Sequence, residues 1–274
     1  MPQQNNVIKD NVETIQSPDD DLTHLLNGKL RFPVKLRGNT KLFGELKYKN
    51  EFLFNQFSSQ RNELENLNLH NSEIAFYALS KLSRDRFLIQ RFAVNNRSDE
   101  FSTFNKKTAG ASASFVYGWE TPKVKYGFGL AIDRSYRNLQ FLPIFLYQRD
   151  LPRNYYLDIQ LPGKIEVGRS PNANTRLFAA IDGSSANYFL NREVLGQNDV
   201  IYRRLTINTK VGFEHNLTEW IGIGAEAGVA SPLRSGLFEA AQRRNQIIDH
   251  DQRFGPYFNV KFFVSPSRAL LKKL

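Results

Sequence analysis

The sequence predicts an all-β protein, a closed antiparallel transmembrane β-barrel of about twelve strands carrying a polar N-terminal arm. Three observations predict it. Apolar residues alternate with small or polar ones at a period of two over long stretches, loops are alternately short and long, and no run of about 18 apolar residues exists to make a membrane helix. The alternation is plainest in "TAGASASFVYGWETPKVKYGFGLAI" (108–132), where Ala109, Ala111, Ala113, Phe115, Tyr117 and Trp119 fall on odd positions. After Thr121 and Pro122 the apolar set moves to the even positions Val124, Tyr126, Phe128, Leu130 and Ile132. Two strands with unlike faces and a tight turn between them make a hairpin.

Taken in order, residues 1–40 are polar, with Asp19, Asp20 and Asp21 in their centre, and read as a partly disordered periplasmic arm. "LRFPVKLRG" alternates briefly, but Pro33 demotes it to an edge or non-sheet segment, free to fold on the barrel or to join another protein's sheet edge. The barrel itself is expected over 41–264 and a short tail over 265–274. Its strands are expected at 41–57, 62–80, 84–95, 107–120, 123–135, 138–148, 153–161, 163–170, 174–190, 199–216, 219–230 and 252–264. Connections are short at 82–84, 121–122 and 217–219 and longer at 96–106, 191–198 and 231–251, so one end is trimmed and the other elaborated. An even strand number puts both termini at the trimmed end. The longest loop has a helix-compatible middle, 236–248, with Leu237, Ala240 and Ala241 on one face and Arg243 and Arg244 on the other. It is placed to cap the mouth, bind lipopolysaccharide phosphates or meet a partner.

Alternation alone does not say which face is inside, since soluble barrels and sandwiches alternate too. Three details assign the apolar face to lipid. The polar face is rich in Gly, Ser, Asn and Ala, as a crowded interior is when long charged chains lie across small ones. Aromatic rings gather at strand ends as interfacial residues, Tyr117, Trp119 and Tyr126 around one short turn and Trp220 after another. Strands of ten or more residues match the roughly 9–11 that cross hydrocarbon at a tilt. On this register Glu45, Lys47, Lys49, Glu51, Lys125, Asp133, Arg204, Lys210, Glu214 and Glu226 face the lumen. Opposite signs there imply either mutual neutralisation or a cationic path for anions.

The segment "FLPIFLYQRDLPRNYYLDIQLPGKIEVGRSPNANTRLFAAIDGSSANYFL" (141–190) resembles a poorly characterised outer-membrane β-barrel family common in Bacteroidota. The resemblance lies in an LP-I-Y strand, a YYLDIQLP strand, a K-I-V-G strand and a strand ending in "ANYFL", and extends over residues 40–264. It implies architecture and an outer-membrane location and transfers no catalytic residue. The chain departs from the pattern in showing no signal peptide, which implies removal before the mature form, and in following "RFGPYFNVKFFV" with "SPSRALLKKL" instead of a terminal aromatic residue.

Cysteine is absent, which excludes disulfide frameworks, thiolate metal sites and cysteine nucleophiles. The four histidines are His24, His70, His215 and His250, and none is ligand-spaced with a carboxylate, so neither metal nor cofactor is expected. "GFG" at 127–129 and "GIGAEAG" at 222–228 sit inside strand patterns and are not phosphate loops. His70-Asn71-Ser72 is similar to the His-x-Ser of lipid A deacylase barrels, but no carboxylate is placed to orient the imidazole, and no enzyme activity is expected. The net charge of +10 is spread along the chain, which suits phospholipid and lipopolysaccharide headgroups better than nucleic acid. The expected role is a structural or accessory subunit, or binding scaffold, of an envelope assembly, with other envelope proteins as partners. A narrow pore for small anionic or amphipathic solutes is the alternative, and a lipid-modifying hydrolase using His70 and Ser72 the third.

Overall fold

The computed structural model describes residues 8–16, 22–35, 38–54, 66–135, 138–194, 196–218, 221–240, 246–249 and 254–264. They form fifteen strands: β1 (Ile8–Gln16), β2 (Leu22–Lys35), β3 (Thr40–Phe54), β4 (Asn66–Lys81), β5 (Arg86–Ser98), β6 (Ala109–Glu120), β7 (Val124–Ser135), β8 (Asn138–Asp150), β9 (Tyr155–Leu161), β10 (Lys164–Arg169), β11 (Thr175–Leu190), β12 (Val200–Asn216), β13 (Ile221–Glu239), β14 (Gln246–Asp249) and β15 (Gly255–Val264). From β1 to β13 each strand pairs antiparallel with the next; β13 then pairs with β15, and β15 with β1. The ring is therefore closed, and only β14 stands outside it, paired to the tip of β13.

The ring holds fourteen strands where the sequence pattern predicts about twelve, because Ile8–Gln16 and Leu22–Lys35 are wall and not a free arm. β1 bridges β15 and β2 along its whole length, Val12 standing opposite Val260 on one side and Leu26 on the other. β2 is legible in hindsight from Leu26, Leu30, Phe32 and Val34, which are exposed on its outer side. Pro33 is tolerated because the β2–β3 ladder slips between Pro33 and Lys35, so the missing N–H falls at an irregularity. The Phe32 ring covers Gly44 on β3, where an added Cβ would lie 2.4 Å from its tip.

The wall is uneven. Short turns at 82–85, 121–123, 151–154 and 170–174, with the turn bonds of Leu217 and Thr218 to Ile221, mark one pole, where Ile8 and Val264 also lie paired. At the other pole β9 and β10 run only 7 and 6 residues, while β11, β12 and β13 run 16, 17 and 19. β10 leaves β11 at the Lys164–Asp182 pair. Beyond it β11 continues without that neighbour and reaches β5 through a parallel Phe189–Ser98 bridge. The tall part of the wall thus leans across the mouth.

β13 outruns its predicted end. A bulge opposite Leu205 and Thr206 leaves Leu233 unpaired with β12 and reverses the parity, so that Ser235 and Leu237 turn inward. Of the helix expected over 236–248, residues 236–239 belong to the end of β13 and 246–248 to β14, and 241–245 lie outside the described residues. Burial of Leu237, which has no exposed surface, outweighs the local helical spacing. Arg243 and Arg244 lie outside the described residues.

Outside the ring, Ile74, Phe76, Phe92, Val94, Phe128, Leu130, Val211, Phe213, Phe258 and Val260 form an exposed apolar belt. Phe92 packs edge-on to Phe115, and Phe128 lies 5.2 Å from Phe145. Deleting residues 1–35 removes two ring strands and leaves β3 and β15 as open edges. The truncated chain is expected to lose the compact, heat-modifiable band of a folded barrel on electrophoresis, whereas a dispensable arm would leave it unchanged.

Candidate functional site

The candidate site is the lumen, and its charges are set by strand parity. On β3, Glu45 and Glu51 are buried while Leu46 and Phe52 are exposed. Lys29 on β2 pairs with Glu45 at 3.0 Å, and the Tyr77 hydroxyl donates to the same carboxylate at 3.0 Å. Arg91 donates to that hydroxyl at 2.9 Å and pairs with Glu73 at 2.5 Å. Lys47 stands between Lys29 and Glu73 in the ladder. Asp133 meets Arg97 at 3.8 Å. Lys125 places its ammonium 4.3 Å from the Phe87 ring, beside the inward apolar cluster of Phe87, Val116 and Leu146.

A second network lines the opposite wall. Glu226 accepts from Tyr257 at 3.1 Å and Asn259 at 2.9 Å, and pairs with Lys261 and with Lys210 at 3.1 Å. Lys210 also holds Asp182 at 2.6 Å. Arg176 joins Glu214 at 3.1 Å to Glu166, which accepts from Tyr156 at 2.9 Å, and Lys164 bridges Glu166 at 3.4 Å and Asp158 at 2.9 Å. Small residues make room for these long chains: a Cβ on Gly168 would lie 2.3 Å from the Tyr156 hydroxyl oxygen. Glu73, Arg91, Asp158, Lys164, Glu166, Arg176 and Lys261 are absent from the sequence-derived set. The parity rule that picks Glu226 would have found them had it been applied to every strand.

A buried pair also crosses the lumen. Arg204 on β12 meets Glu51 on β3 at 3.0 Å, though these strands are not neighbours in the ring, and both side chains are buried. Lys49 also pairs with Glu51. Around the pair lies an apolar plug drawn from both walls: Leu53, Leu67 and Leu69 from β3 and β4 against Tyr188, Leu190, Val200, Tyr202 and Leu237 from β11, β12 and β13. Val194, from the β11–β12 connection, is 1% exposed in the same cluster. That connection is clamped onto β5 and the following loop. Asn191 donates its backbone N–H to Asp99 at 2.9 Å, Arg192 approaches Asp99 at 3.4 Å, and Lys107 pairs with Asp199.

The predicted interfacial aromatics Tyr117, Trp119 and Tyr126 lie on the outside. Trp119 stands 5.0 Å from Tyr117 and stacks on Tyr126 at 5.3 Å beside the 121–123 turn. Trp220 lies outside the described residues. His70 and Ser72 share the outer face of β4 with Ile74 and Phe76, as their alternation with buried Leu69 and Ala75 requires. His70 Nδ1 lies 2.8 Å from the Tyr48 hydroxyl and 3.0 Å from Asn50 Nδ2, partners that the spacing on β4 alone did not reveal because they come from β3. His215 Nδ1 meets Thr175 at 3.0 Å, and no group of three metal-ligating side chains occurs among the described residues.

Removing Arg204 takes from the buried Glu51 its partner across the lumen and leaves it Lys49 on its own strand. Arg204→Ala is expected to destabilise the folded barrel by about 3–5 kcal/mol, and the double variant Glu51→Leu with Arg204→Met to recover most of that loss. Equilibrium unfolding in urea, read as a double-mutant cycle, measures both.

A search of curated proteins finds no match to the sequence. Among solved structures, the fold is similar to the KdgM porin in complex with disordered oligogalacturonate, at 9% identity and a TM-score of 0.41 over 94% of this chain and 98% of that one. Outer membrane phospholipase A from Escherichia coli is similar at 10% identity and a TM-score of 0.41 over 94% and 96% of the two chains. The Pseudomonas putida toluene transporter TodX follows at 8% identity and 0.36 over 95% and 88%. By sequence, residues 9–266 match one family model, and the chain belongs to that family, a domain of unknown function designated DUF6268.

Proposed function

We propose that this protein is an outer-membrane β-barrel that acts as a structural or accessory subunit, or binding scaffold, of an envelope assembly, with a lumen closed to solutes. The observation that carries the closed state is the cross-lumen plug with the Glu51–Arg204 pair at its centre. Fourteen strands enclose a space wider than an eight-stranded barrel fills with side chains and narrower than the aqueous channels of 16–18 strands. Here the two walls meet across that space. The ion pairs below the plug are mutually neutralising, which gives a permeating ion no stretch of uncompensated charge to follow.

The exposed belt of Phe, Val, Ile and Leu supports lipid embedding, since a contiguous apolar surface of this extent is unfavourable in water. Strands of 12 residues such as β6 and β7 have the length to cross hydrocarbon, and the aromatic group at the short-turn pole suits a headgroup boundary. Outer-membrane lipid and lipopolysaccharide are then the immediate surroundings, and other envelope proteins the partners.

In planar bilayers the purified protein is expected to give little or no steady conductance. Stable, large, anion-selective steps would replace the scaffold by a narrow pore for anionic or amphipathic solutes. Phe128→Arg tests the embedding: at mid-strand it is expected to cost about 2–4 kcal/mol of stability in lipid. No penalty on refolding into vesicles would turn that face toward water.

A further inference from the structure

The outer wall carries a polar patch at one edge of its apolar belt. Leu46 on β3, Ile74 on β4 and Val94 on β5 are exposed apolar residues of that belt. One step toward the long-loop pole on the same outer face stand Tyr48, Ser72 and Asn96, which are mutual partners in the ladders, and one step further Asn50, His70 and Ser98. In a membrane-embedded barrel this edge is the depth of lipid ester bonds, between acyl chains and headgroups.

His70 is fixed in this patch. Its Nδ1 lies 2.8 Å from the Tyr48 hydroxyl and 3.0 Å from the Asn50 amide, whose nitrogen is 3.2 Å from the same hydroxyl. Asn50 is 6% exposed, and its Oδ1 has no hydrogen-bond partner among the described residues. The two ends of an amide exchange by a half turn. With Oδ1 turned toward the ring, it accepts the Nδ1 proton and the Tyr48 hydroxyl proton on its two lone pairs. Nε2 then holds the free lone pair and makes no hydrogen bond among the described residues. The neutral amide takes the orienting role, since no carboxylate hydrogen-bonds to the ring among the described residues. Ser72 lies two residues along the same face of the strand. Phe101, 64% exposed, packs edge-on against both the Tyr48 and His70 rings at 5.6 and 5.7 Å, and Phe104 is 67% exposed on the same loop. The exposed Phe101 ring beside the polar patch offers an apolar surface to an acyl chain.

We propose that Ser72 and His70 form an acyl-ester hydrolase site for glycerophospholipids of the surrounding membrane, with Asn50 and Tyr48 as positioning residues. The proposal rests on the membrane-embedded reading. Ser72 Oγ attacks the ester carbonyl carbon while His70 Nε2 takes its proton. The bond from that carbon to the glycerol oxygen breaks, and His70 returns the proton to the departing oxygen, releasing a lysophospholipid and leaving acyl-Ser72. Water then attacks the acyl group, giving its proton to Nε2, and the fatty acid leaves as the proton returns to Oγ.

The test uses the full-length protein reconstituted with phosphatidylethanolamine and phosphatidylglycerol vesicles, measuring fatty-acid release, together with labelling by a fluorophosphonate. Turnover is expected, with label on Ser72. Ser72→Ala and His70→Ala are expected at background, and Asn50→Leu is expected to lower kcat by about 100-fold at little change in KM, with partial recovery in Asn50→Asp. A protein that inserts and shows its heat-modifiable band but neither releases fatty acid nor labels overturns the hydrolase and leaves the barrel standing, as does turnover that survives Ser72→Ala. A protein that does not associate with the vesicles overturns both.

Discussion

The contact between Glu51 and Arg204 is the constraint on which the shape of the lumen turns. The two side chains come from strands that are not neighbours, so their approach to 3.0 Å draws opposite walls together. A buried pair adds little net stability over apolar residues of the same shape, because desolvation consumes most of the attraction. Its effect here is positional: two charges that cannot be left apart in an apolar surrounding bring Leu53, Leu67 and Leu69 against Tyr188, Tyr202 and Leu237. The clamp of Asn191 and Arg192 on Asp99 then holds the connecting loop over the same seam.

The unequal strand lengths make that approach possible. A wall of even height would keep β11 paired to β10 along its length and away from β5. Because β10 stops at Lys164, the upper part of β11 is free to incline and meet Ser98. The bulge in β13 serves the same end by turning Leu237 into the plug. Below the plug, the carboxylates Glu166, Glu214 and Glu226 share Arg176, Lys210 and Lys261 in one continuous chain of pairs, so that no member is desolvated alone.

Two chemistries are kept on opposite sides of one wall. Parity puts the Tyr48, His70 and Ser72 group outward with the apolar belt and the acidic and basic groups inward, so the lumenal carboxylates are not available to the histidine. Orientation of His70 falls to Asn50 and Tyr48 on the adjacent strand, neutral groups that suit a position beside the apolar belt better than a charge would.

What the sequence determined by itself is the all-β class, most of the strands from 41 onward, and the two faces of each, because alternation is a local property that survives any arrangement of strands. The faces of Phe128 and Lys125, or of Leu46 and Glu45, follow from their spacing alone. What only the tertiary structure decided depends on which strands meet. β1 and β2 look like an arm in the sequence because β1 is polar and Pro33 interrupts β2, and closure of the ring by β15 makes them wall. Leu237 sits in a helix-compatible stretch, and burial against β11 and β12 makes it part of the plug. The Glu51–Arg204 pair and the His70–Asn50 contact join positions 153 and 20 residues apart, and no period along the chain encodes either, since the first exists only once the ring is closed and the second only once β3 and β4 are in register.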